Sequence, residues 1–129
     1  MESQLKKILY IDDDEDLLNV VKLSLEEMGG YSVEICPSGD EGIRVAEEWR
    51  PDLIMLDVMM PDMDGPATLK CLKKNLHVGR TPVFFMTARG KETHAEAYLA
   101  MGAAGTIAKP FDLFGLSGEV NAMWRRLSS

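Results

Sequence analysis

Short apolar runs recur along the chain with helix-patterned stretches between them, and this alternation narrows the fold more than any other feature. Lys7–Ile11, Leu53–Leu56, Pro82–Met86 and Thr106–Ala108 are largely apolar, as strands are when helices cover both faces of a parallel sheet. Ser32–Cys36 differs. Its Val33 and Ile35 alternate with Ser32 and Glu34, so one face meets water and the strand belongs near a sheet edge. Between the runs, apolar residues recur at helical spacing, most clearly Leu17, Val20, Val21, Leu25 and Met28, and then Leu116, Val120, Met123, Trp124 and Leu127. Gly29–Gly30 stops the first helix, Ser38 with Glu41 forms a capping box for the second, and Pro66 and Asp112 open later ones. Five strands alternating with five helices argue an α/β fold: a doubly wound parallel sheet, helices on both faces, right-handed crossovers.

The 129 residues leave room for one domain, residues 1–129, with 46% hydrophobic residues to fill its core. With 21 acidic residues against 14 basic ones the net charge is -7. Such a field repels nucleic acid and anionic membranes, so no direct nucleic-acid binding is expected. No apolar run approaches the ~18 residues of a membrane span, so no membrane insertion and a cytoplasmic location are expected. Cys36 and Cys71 form no C-x-x-C pair and read as two buried thiols in a reducing compartment.

Ligands of an open parallel sheet bind outside the carboxyl ends of its strands. Here those ends carry Asp12, Asp13 and Asp14 after the first strand, Asp57 after the third, Thr87 after the fourth, and Lys109 followed by Pro110 after the fifth. The second strand ends only in Cys36 and Pro37, as suits an edge far from the crevice. This agrees with the flavodoxin-like strand order 2-1-3-4-5. If Asp12, Asp13 and Asp57 converge, each close pair costs about 4 kcal/mol at the effective dielectric of a protein surface, and the site needs a cation or protons. Oxygen-only ligands point to Mg²⁺ or Mn²⁺ rather than Zn²⁺. Lys109 and Thr87 suit the oxygens of a phosphoryl group in transfer. Asp57, at the end of a central strand beneath the loop Val58–Gly65, is the natural nucleophile.

Tyr10-Ile11-Asp12-Asp13-Asp14, Pro51 to Asp57, Met60-Pro61-Asp62-Met63-Asp64-Gly65, Met86-Thr87-Ala88 and Gly105 to Phe111 resemble response-regulator receiver domains, over nearly the whole chain. The resemblance implies that Asp57 is the phosphoacceptor, that Asp12, Asp13 and the Met59 backbone carbonyl help hold Mg²⁺, and that Thr87 and Lys109 contact the phosphoryl group. It also implies a cis bond before Pro110. A sensor histidine kinase or phosphotransfer protein would be the donor, and a downstream protein the target. Two departures stand out. Receivers often carry an aromatic ring or His where this chain has Thr106, the partner of Thr87 in their switch, so a smaller output movement is expected. Met59 and Arg89 occupy positions that tune hydrolysis, and Met59 offers water no polar group, so a long-lived phosphoryl state is expected.

Other readings of these residues are weaker. Asp14, Glu15 and Asp16 suit an acidic helix start. Asp12, Asp14 and Asp16 imitate a calcium loop, but Leu17 and Leu23 stand where such a loop needs Gly and Glu. Met55, Met59, Met60, Met63 and Met86 read as core and loop filler. His77 and His94 read as surface residues, so phosphohistidine must come from another protein. Lys91, Glu92, Thr93, His94 and Glu96 leave the fourth helix to Ala95, Tyr98, Leu99 and Met101 for anchorage, a weak hold that suits a switch element. A phosphohydrolase of the haloacid-dehalogenase type needs a second Asp where Met59 stands. The rest of the chain, from Met1 to a last helix ending near Ser129, suits a stand-alone regulator resembling the chemotaxis type. The alternatives are a receiver excised from a larger DNA-binding regulator or hybrid histidine kinase, and a phosphorylation-independent pseudo-receiver.

Overall fold

A computed structural model of the chain describes residues 4–88 and 94–128. Strands β1 (Lys7–Ile11), β2 (Ser32–Cys36), β3 (Leu53–Asp57), β4 (Val83–Ala88) and β5 (Gly105–Lys109) alternate with helices α1 (Glu15–Gly29), α2 (Gly39–Trp49), α3 (Gly65–Lys74), α4 (Ala95–Ala100) and α5 (Leu116–Ser128). All neighbouring strands are parallel, in the order β2-β1-β3-β4-β5. The expected architecture is therefore present, with β2 at one margin.

Strand alternation sorts the core into two layers. Ile8, Tyr10, Leu53, Met55, Phe84, Met86 and Ile107 pack with Leu18, Val21 and Leu25 of α1 and Leu116 and Val120 of α5. Leu9, Ile11, Ile54, Leu56, Val83 and Phe85 pack with Ala46 of α2, Leu69 and Leu72 of α3, and Tyr98 of α4. Every residue of β3 is buried, which is why its sequence lacks any polar alternation before Asp57. β5 departs from expectation. As the second edge strand it buries only Ile107, and Thr106 is half-buried rather than enclosed on both faces.

The helix ends follow local chemistry. Asp14 caps α1 through Leu17 N, and Gly30 ends it in the left-handed region at φ 72°. Ser38 accepts from Glu41 N at 3.3 Å. Pro66 does sit in the first turn of α3, with Asp64 as the cap, accepting from Ala67 N. Asp112 instead opens a turn, accepting from Phe114 N and, through its carbonyl, from Gly115 N, so α5 begins at Leu116. The buried stripe of α1 is also rotated from the expected one. Val20 and Met28 are 41% and 50% exposed, while Leu18 and Ser24 are buried. Ser24 tolerates burial because its hydroxyl donates to the Leu113 carbonyl.

Cys36 is buried as expected but Cys71 is exposed, because it sits on the face of α3 opposite Leu69 and Leu72. His77 and His94 are both exposed. In α4, Tyr98 alone is buried, edge-on to Phe85 with centroids 5.0 Å apart, while Leu99 and Met101 lie about half exposed. Arg89, Lys91, Glu92 and Thr93, invoked above for the site and for this helix, lie outside the described residues. No helix of the described residues is long and apolar enough to cross a membrane.

Candidate functional site

The chain winds from β1 to β2 on one side and returns to β3 on the other, so β1 and β3 are neighbours with a crevice above their carboxyl ends. Ile11 pairs with Leu56. Asp12 and Asp57, one residue further on, therefore arrive side by side. Asp12, Asp57 and Lys109 each follow by two residues a member of the α1–α5 layer, namely Tyr10, Met55 and Ile107, so period-two alternation carries all three toward that side.

Carboxylate oxygens of Asp12, Asp13 and Asp57 lie within 4.8 Å of one another. Asp12 is fully buried and Asp57 is 5% exposed, whereas Asp13 faces solvent. The Lys109 ammonium reaches from the end of β5 to Asp12 Oδ2 at 2.7 Å and Asp57 Oδ1 at 3.0 Å. Burial pushes the Asp57 carboxyl up to about 6, against the pull of the Lys109 hydrogen bond, and nearby Asp12 adds to the rise. Burial alone would lower the Lys109 ammonium, but its hydrogen bonds to Asp12 and Asp57 outweigh this and its pKa is raised. One ammonium between two buried carboxylates leaves the exposed Asp13 oxygen as an open, hard, anionic corner.

The loop after β3 is held down by backbone geometry. Gly65 N donates to the Val58 carbonyl at 2.9 Å, and a side-chain carbon at Gly65 would sit 2.6 Å from the Asp57 carbonyl oxygen. Only glycine permits that approach. Between these residues Met60 is buried, Asp62 takes the left-handed region at φ 64°, and the Met59 side chain is 73% exposed. Thr87 is buried one residue beyond Met86, the β4 partner of Asp57. It shares the α4 side of the sheet with Phe85, whose β5 partner is Thr106. The Lys109–Pro110 bond is cis.

The expected residues Asp12, Asp13, Asp57 and Lys109 are thus brought together, with Thr87 at an adjoining strand end. Thr106 lies further back along β5, three residues before Lys109. One residue of the site escaped the reading of strand ends. Tyr10 is fully buried and its hydroxyl donates to Asp12 Oδ2. Burial and the Asp12 carboxylate raise its pKa far above the ordinary phenol value, so it remains a donor. The signal was available, because a phenol inside an apolar strand needs a partner and Asp12 is two residues on, on the same face.

An all-oxygen donor set of three carboxylates, one of them open to solvent, fits a hard divalent cation of the Mg²⁺ kind. The comparisons with known proteins agree with this geometry. Residues 8–121 match the family model described as response regulator receiver domain. The chain is 36% identical over 121 residues to the alkaline phosphatase synthesis transcriptional regulatory protein PhoP of Bacillus subtilis (strain 168), covering 94% of this chain and 49% of that protein. It is 37% identical over 122 residues to the transcriptional regulatory protein CpxR of Escherichia coli (strain K12), covering 95% and 50%. The chain therefore spans about half the length of these relatives. Among solved structures, the chemotaxis response regulator CheY4 of Vibrio cholerae superposes with a TM-score of 0.84 at 28% identity, covering 93% of this chain and 99% of that one. A response regulator receiver domain protein from Clostridium thermocellum does so with 0.81 at 30%, covering 95% and 97%. With its sheet order, its acidic crevice and a family match over most of its length, the chain belongs to the response regulator receiver domains of two-component signalling.

Proposed function

We propose that Asp57 accepts a phosphoryl group from a phosphohistidine of a sensor histidine kinase or phosphotransfer protein, in a Mg²⁺-dependent step, and that the acyl phosphate switches a protein-binding face. The observation that carries this reading is the buried Asp57 carboxylate, bonded to Lys109 at 3.0 Å and clustered with Asp12 and Asp13 at the end of a central strand. An Asp57 carboxylate oxygen attacks phosphorus, the P–N bond breaks, and the donor imidazole keeps the electron pair. Asp12, Asp13, Asp57 and the Met59 backbone carbonyl would hold Mg²⁺, which draws charge from the phosphoryl oxygens in transfer. Lys109 moves its ammonium from the Asp57 carboxylate to the incoming phosphoryl group, and the Thr87 hydroxyl donates to a second oxygen. Burial of Asp12 and Asp57 keeps these interactions strong by excluding water.

On the other side of the sheet, Thr87 and Thr106 share a face with Phe85 and with Tyr98 of α4. A shift of Thr87 toward the phosphoryl group would be read there. Thr106 has no ring to move into the space, so the output change is carried by α4 itself. Met59, largely exposed and without a polar group, places no donor or acceptor beside the acyl phosphate. Met59→Asn is expected to shorten the phosphoryl lifetime; an equal or longer lifetime would remove this role.

Around the crevice, Leu17, Pro110, Phe111 and Leu113 line an apolar groove beside Lys109, and Phe114 is exposed. This surface suits the docking of the protein that presents the phosphohistidine. The net charge of -7 argues that this part of the molecule contacts proteins rather than nucleic acid. A second reading, one receiver within a longer DNA-binding regulator, is favoured by the length of the transcriptional relatives.

Incubation with acetyl phosphate and Mg²⁺, followed by intact mass, tests the reading. A single phosphoryl adduct, absent from Asp57→Ala and from an EDTA control, is the expected result. A folded protein that takes up no phosphoryl group would instead be a pseudo-receiver.

A further inference from the structure

Asp12 is held by more than the cation site requires. Its Oδ2 accepts from the Tyr10 hydroxyl and from Lys109 Nζ, and its Oδ1 accepts from Asp14 N at 3.0 Å. A carboxylate has about four lone-pair sites, so these three donors leave one, on Oδ1. Tyr10 cannot relax away from this arrangement. Its ring is fully buried within the strand layer against α1 and α5, and its hydroxyl emerges only at Asp12. The Lys109 ammonium, by contrast, is shared between Asp12 and Asp57 on a long flexible stem.

From this geometry we infer that Tyr10 is a positioning residue for the metal site: its buried hydroxyl fixes the plane of the Asp12 carboxylate and leaves Oδ1 with the lone pair open to a cation. The inference rests on the proposed Mg²⁺ site and adds to it a residue that touches neither metal nor phosphoryl group. Tyr10 also frees Lys109 to act. When the ammonium leaves the carboxylates for the phosphoryl group, the Tyr10 hydroxyl remains as the donor that keeps Asp12 Oδ2 satisfied in a buried setting, where an unpaired charged oxygen is costly. Outer partners of this kind typically contribute about 10–100-fold to metal affinity.

Tyr10→Phe keeps the ring and removes only the hydroxyl. Calorimetric titration with Mg²⁺ should show about 10-fold weaker binding, and the Mg²⁺ concentration that gives half-maximal phosphoryl uptake from acetyl phosphate should rise by the same factor, a shift that loss of general stability does not produce. Binding unchanged within twofold would overturn the inference while leaving the receiver reading intact. Absence of Mg²⁺ binding by the unaltered protein would overturn both. If Tyr10→Phe does not fold, the unaltered protein labelled with 3-fluorotyrosine decides. Tyr31→Phe and Tyr98→Phe assign the ¹⁹F resonances, and the Tyr10 resonance must shift on adding Mg²⁺; an unmoved resonance beside saturating metal overturns the inference.

Discussion

Asp57 is a carboxylate that folding makes uncomfortable, and its discomfort has a measurable sign. Its pKa is raised by burial to about 6 from an ordinary 3.8. The stability this group contributes is fully present below about pH 4 and is lost as pH rises through about 6, because the native state must then hold a buried charge. In EDTA, Asp57→Asn should therefore become more stable than the unaltered protein as pH rises across that window. The gap should reach on the order of 2 kcal/mol by pH 8. Urea denaturation of both proteins at pH 4, 6 and 8 measures this, and a gap independent of pH would contradict it. The cysteines give a second residue-scale test. Burial pushes the Cys36 thiol up to about 11, whereas Cys71 is exposed. A disulfide reagent should find one reactive thiol in the native protein and both after unfolding. The burial of Cys36 was read from sequence but the exposure of Cys71 was not, since that depends on which face of α3 packs against the sheet.

Among the elements, the loop after β3 and helix α4 differ most in how they are held. The loop is pinned by the close approach of Gly65 to the Asp57 carbonyl. Gly65→Ala should displace that loop and slow phosphoryl uptake by at least an order of magnitude, while destabilising the fold by about 1–3 kcal/mol through overpacking. Uptake at the unaltered rate would show that the approach is not needed. Helix α4 rests on Tyr98 against Phe85. Its amides should exchange with solvent faster than those of α1, which buries Leu18, Val21 and Leu25. Tyr98→Ala should abolish the remaining protection in α4 and leave that of α1 near its original value. Tyr98 was legible in the sequence as one of the four anchors offered for α4, and it alone is buried. The true buried stripe of α1 was not legible, because Ser24 becomes a core residue only through its bond to the Leu113 carbonyl, 89 residues away in sequence.

At the scale of the whole molecule, a bound metal would be coupled to stability, since only the folded chain gathers Asp12, Asp13 and Asp57. At ten times its dissociation constant Mg²⁺ should add about 1.4 kcal/mol of stability, seen as a rise in Tm that Asp13→Asn reduces and monovalent salt does not reproduce. A Tm insensitive to Mg²⁺ would argue against a cation site. Most of the architecture was written in local pattern: buried β3 as an unbroken apolar run, β2 as an alternating one, and the candidate site residues at strand ends where a parallel sheet opens its crevice. These are properties of a residue and its near neighbours, so the linear order carries them. What only the tertiary structure decided depends on partners distant in sequence. It set the exposure of β5 as the second edge, the bridge from Lys109 to Asp12 across 97 positions, and the fixing of Asp12 by a buried tyrosine. Burial and hydrogen bonding are pairwise and long-range, and they acquire values only when the chain has closed on itself.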